Sequence, residues 1–117
     1  QDDPIQSPKA SGFLSERTSV DPIYISRMVL VETVWTLTRS YGCRLPELAG
    51  IIRALLASDD VVVEAAPSVR RAVRDAEDEN GDLADAIIAH TAIDAGCDGV
   101  VTFDERAQRL PGMLPVA

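Results

Sequence analysis

DLADAIIAHTAIDAG (82–96), followed after Cys97-Asp98 by GVVTF (99–103), is the stretch on which the fold turns. The first segment is apolar almost all round, as a helix buried on every side reads. The second is a short unbroken apolar run, as a parallel strand covered on both faces reads. A helix feeding such a strand is half of a β–α–β unit. Yet this helix opens on two aspartates, Asp82 and Asp85, one turn apart. They raise the question of function as well as of fold.

The flanking segments repeat the alternation. PIYIS (22–26) reads as a strand behind a proline. RMVLVETVWTLTRSYG (27–42) is long enough to favour a helix despite its valines, and it ends in Gly42. LPELAGIIRALLAS (45–58) is a second helix with Pro46 near its start. VVVEAA (61–66) is another buried strand, and PSVRRAVRDAEDEN (67–80) a charged helix broken at Asn80-Gly81. DERAQRLPG (104–112) reads as a short helix, MLPVA (113–117) as an edge strand, and residues 5–19 as weakly helical behind Ser7-Pro8. The pattern predicts one α/β domain over residues 1–117: a parallel sheet with helices on both faces, three layers in all. Ligands of such a sheet bind at the carboxyl ends of its strands.

Composition narrows the class. Hydrophobic residues make up 46% of the 117, aromatics only 4%, which suits one aliphatic core. No apolar run approaches the ~20 residues that span a bilayer, and the first residues lack a signal-peptide pattern. Two distant cysteines, Cys43 and Cys97, make no ligand pair, and a cytoplasmic location is expected. The net charge is −8, so the overall field does not hold nucleic acid.

The carboxylates carry the chemistry. Asp82 and Asp85 read first as a capping pair, with Asp82 the N-cap and Asp85 reaching back. On the helical wheel, at about 100° per residue, Asp85 also shares a stripe with the small Ala89 and Ala92. A neighbouring backbone can approach there, and a carboxylate beside it must be paired or metal-bound. Asp104 follows the strand 99–103, at a carboxyl end, and also suits an N-cap. Glu32 sits within an apolar helix, sharing its face with Thr36 and Arg39, so a solvent-facing stripe explains it too. His90 is the only histidine and reads as a core or partly buried group. There is no Ser-His-Asp or Cys-His set, no phosphate-cradling glycine loop and no basic–aromatic patch.

LVETVWTL around Glu32, DLADAIIAH around Asp82 and Asp85, and VVTFDERAQRLPG around Asp104 together resemble the PIN-domain family, most closely its VapC-like toxins of bacterial toxin–antitoxin pairs. The resemblance covers essentially the whole chain. It implies a metal-dependent ribonuclease with an acidic pocket for Mg²⁺ or Mn²⁺, in which Glu32, Asp85 and Asp104 match the acidic positions and Asp82 an additional acid. It also implies an RNA substrate, a cognate antitoxin and a homodimer. One element departs from the family: its first strand, central in the sheet and ending in a ligand aspartate, has no counterpart. QDDPIQSPKASGFLSE (1–16) resembles the family's segment just after that strand. The domain is therefore expected to be N-terminally incomplete, with a gap in the sheet and unpaired strand edges.

The chemistry is self-consistent. Clustered carboxylates repel one another unless a cation joins them. Oxygen donors without His or Cys select Mg²⁺ or Mn²⁺. A metal-activated water needs no protein nucleophile, and RNA is then held by metal plus a few arginines, such as Arg39 or Arg106. A receiver domain is excluded, because Asp59-Asp60 precede a strand and the only lysine is Lys9. The standing alternative is a catalytically inactive PIN-like module that binds RNA or protein.

Overall fold

A computed structural model describes residues 22–102 and 110–115. Strand β1 is Ile23–Ile25, helix α1 Arg27–Tyr41, helix α2 Leu45–Ala57 and strand β2 Val61–Val63. Helix α3 is Ala66–Glu79, helix α4 Leu83–Asp94, strand β3 Val100–Thr102 and strand β4 Met113–Pro115. The expected weak helix 5–19 and the greater part of the short helix 104–112 lie outside the described residues.

Local chemistry sets the helix limits. Ser26 caps α1 by accepting the Val29 N–H at 3.1 Å, and Gly42 ends it in the left-handed region at φ 66°. Pro46 opens α2, where its missing N–H costs nothing, and Glu47 Oε1 accepts the Arg44 N–H at 2.9 Å. Asn80, at φ 50°, closes α3 with its N–H on Ala76 O, so Asn80-Gly81 is the predicted break.

β1 pairs with β2 in parallel, Ile23 opposite Val61, and β3 pairs with β4 in parallel, Val100 opposite Met113. Parallel pairing agrees with the α/β expectation. The two pairs form separate two-stranded sheets, with no hydrogen-bonded ladder joining them among the described residues. One expectation is corrected. Val62 and Val101 are exposed, so the two strands read as covered on both faces are not, and Tyr24 of β1 and Leu114 of β4 are exposed as well. Tyr24 stands opposite Val62 and Val101 opposite Leu114, which gives each pair one bare apolar face.

The helices supply most of the core. Leu30, Val31 and Val34 of α1, Ile52 of α2, Val69 and Val73 of α3, and Ile87 of α4 are buried together with Leu110. Helix α4 is buried from Leu83 to Ala89 apart from Asp85 and Ile88, but its last turn emerges, leaving Ile93 exposed. The small stripe of α4 meets a backbone, as expected. A Cβ on Gly112, itself at φ 86°, would lie 3.4 Å from Ala89 Cβ and 3.0 Å from Ile93 Cδ1.

Candidate functional site

The first turn of α4 answers the capping question for one aspartate. Asp82 is the N-cap, and its Oδ1 accepts the Asp85 N–H at 2.9 Å. That contact satisfies one of the helix's open donors. The Asp85 side chain is not what closes this bond. It stands part-buried in the first turn, where the helix dipole favours its charge.

Glu32 projects from α1 and is exposed. With Arg27, Met28, Val31 and Trp35 it forms one wall of a groove of about 560 Å³. The opposite wall is Ile88, Thr91, Ala92 and Ala95 of α4, and Val100 of β3 adjoins them. Glu32 thus faces the middle and end of α4, while Asp82 and Asp85 mark its beginning. Asp104 and Arg106 lie outside the described residues. Among the described residues, no group of three or more His, Cys, Asp or Glu is gathered closely enough to hold a metal ion. By type, the acids fit a hard cation, being oxygen donors with no histidine or cysteine among them. The Arg39 guanidinium carbon lies 5.7 Å from the centroid of the Trp35 ring, and among the described residues Arg39 makes no salt bridge.

His90 is 8% exposed, and its Nε2 lies 2.6 Å from Asp75 Oδ2 on α3. It ties two helices together, in line with its reading as a partly buried histidine. Nothing local in the sequence marks Asp75 as its partner.

A second ionic cluster is equally invisible in the sequence. Arg27, at the start of α1, donates from Nη1 to Asp94 Oδ2 at 2.7 Å, and Nη2 stands 3.7 Å from Glu64 Oε2. Its backbone N–H donates to Glu64 Oε1 at 2.8 Å. The cluster joins the ends of β1, β2 and α4 beside the groove. The Asp94 carboxyl is held below its ordinary range, first by the Ser68 hydroxyl and then by Arg27. Ser68 Oγ falls short of a strict hydrogen bond, so the 2.7 Å Arg27 contact is the firm one.

Helices packed about short parallel strands, with acids at a helix opening and along a groove, define an α/β domain of the acidic-site class. The sequence pattern of the PIN domain family matches residues 3–113, and the chain belongs to that family. The fold is accordingly the PIN-like α/β/α arrangement. PIN domains are in general nucleases that use divalent metal ions and bind nucleic acid. No curated protein and no solved structure matches the chain. No helix among the described residues is long and apolar enough to cross a membrane.

Proposed function

We propose that this protein is a ribonuclease that cuts RNA endonucleolytically with Mg²⁺ or Mn²⁺, and that it is the toxin of a bacterial toxin–antitoxin pair. The observation that carries this reading is the family match over residues 3–113, within which Glu32, Asp82, Asp85 and Asp104 all fall. Glu32, Asp85 and Asp104 would hold the metal, with Asp82 beside them. Bound there, the metal supplies an activated water and neutralises charge on the phosphodiester. The chain's own part is to fix the donors. Asp82 anchors the helix start that carries Asp85, and packing of α1 on α4 sets Glu32 beside the groove. The remaining expectations belong to the same reading: a homodimer, a cognate antitoxin as partner and a cytoplasmic location.

The two separate sheets support a further element of this reading. A further strand between β1 and β3, on the edges that do not face β2 and β4, would join the two pairs into one sheet. Two-stranded sheets are marginal alone, and parallel strands are normally covered. Amide hydrogen exchange at β1 and β3 tests it. Slow exchange at the amides that do not face β2 or β4 is expected; exchange at the rate of an open edge would refute it.

The function is tested by incubating the protein with a panel of single-stranded RNAs in Mg²⁺, in Mn²⁺ and in EDTA. Cleavage in either metal and none in EDTA is expected. RNA that is retained but uncut in every condition would replace this reading with the inactive binding module.

A further inference from the structure

We propose that Trp35, flanked by Arg39, is a platform on which a base of single-stranded RNA stacks beside Glu32. The proposal rests on the ribonuclease reading and extends it from the acids to substrate recognition. Met28, Glu32, Trp35 and Arg39 follow one another at i, i+4, i+7 and i+11, which places them on one stripe of α1. The first three line the same wall of the groove. Trp35 is 40% exposed and Met28 74%, in a protein whose core is otherwise aliphatic. The Arg39 guanidinium lies over the ring, yet two-fifths of the residue still meets solvent.

The chemistry of the stripe matches a nucleotide piece by piece. The indole offers a π-face to a base, the guanidinium offers donors to a phosphate, and the carboxylate stands one turn from the ring. Among the described residues Arg39 makes no ion pair, and its printed contact is the one with the Trp35 ring. A chain of net charge −8 repels a polyanion at a distance, whereas stacking on an aromatic face does not depend on that charge.

Trp35 is the only tryptophan, so its emission reports on this site alone. The protein is titrated with a hexamer of oligoadenylate in EDTA, where binding is read without cleavage, and with an abasic oligomer of the same length. Saturable quenching by the adenylate and little by the abasic oligomer is expected. Trp35→Ala is expected to weaken binding of a labelled hexamer at least about fivefold, and Trp35→Phe to restore most of it. Four results overturn the proposal: no quenching by adenylate, equal quenching by the abasic oligomer, unchanged affinity in Trp35→Ala, or emission that acrylamide cannot reach. An acrylamide-accessible Trp35 that ignores RNA would instead mark a surface for a protein partner. Failure of the underlying reading looks different. If adenylate quenches but no RNA is cut in Mg²⁺ or Mn²⁺, the platform stands and the nuclease falls. If wild type and Trp35→Ala cut RNA with the same KM, the nuclease stands and the platform falls.

Discussion

Asp85→Asn is expected to reduce RNA cleavage severely and to leave the metal-free protein as stable as before, or more so. The two halves of this expectation come from opposite signs. A charge in the first helical turn contributes about 0.3–1 kcal/mol through the dipole, so a purely supporting Asp85 loses that much as Asn. One carboxylate among several that share a pocket is repelled by its neighbours, and its removal relieves them. The capping bond is not at stake, because Asp82 supplies the acceptor and Asp85 only its backbone N–H. Asp82→Ala, by contrast, removes that acceptor and is expected to cost about 1 kcal/mol. The loss of activity in Asp85→Asn is expected to be at least about a hundredfold, as when a group that stabilises transition-state charge is removed. Melting curves with and without Mg²⁺, alongside the RNA panel, read both effects. A variant that melts earlier without metal yet cleaves normally would return Asp85 to the helix start and nothing more.

Arg27→Ala is expected to give the largest loss of stability, about 2 kcal/mol, or roughly 10 °C in Tm. The side chain is only 16% exposed, and its removal leaves the carboxylates of Asp94 and Glu64 without their shared cation. Complete burial would make the cost larger; the exposure of both acids moderates it. Acidity supplies an internal control. In the folded protein Asp94 is held below its ordinary value, so the stabilisation it brings is present above that ordinary value, near 3.8. It is lost as the pH falls through the lower, folded value. The gap between wild type and Arg27→Ala therefore narrows as pH drops below about 4, and chemical denaturation at several pH values measures it. A gap that stays constant down to the lowest pH would mean that Arg27 acts by packing its stem rather than by charge.

Helix limits were legible because they depend on neighbours in sequence. Gly42, Pro46 and Asn80 each act within a turn, and α1 to α4 begin and end within two residues of the expected places, while Ser26, read as the end of a strand, proves to be the cap of α1. Parallel strands were legible from unbroken runs such as Val61–Val63. The features hidden from the sequence involve partners far apart in the chain. Nothing local to Arg27 announces Asp94, 67 residues away, and nothing near His90 singles out Asp75 among the acids of α3. Strand coverage is hidden for the same reason, since the neighbours of Tyr24 and Val101 are chosen by tertiary packing. Among the candidate site acids, Asp82 was readable as a cap. The Trp35–Arg39 pairing was within reach, because a spacing of four residues puts both on one helical face, but periodicity alone does not distinguish a stacked pair from two solvated side chains.

The bare faces of the two sheets also bear on how the protein behaves in bulk. Tyr24, Val62, Val101 and Leu114 offer apolar patches beside short strand edges, the surfaces by which one molecule sticks to another. With a net charge of −8, mutual repulsion keeps such molecules apart in dilute buffer. That protection is colloidal rather than structural. It weakens as salt shortens the reach of the charge, and it vanishes near the isoelectric point of about 4.4. Turbidity that rises under those two conditions, while the helical signal persists, is the mark of folded molecules clumping through their sheets rather than of unfolding.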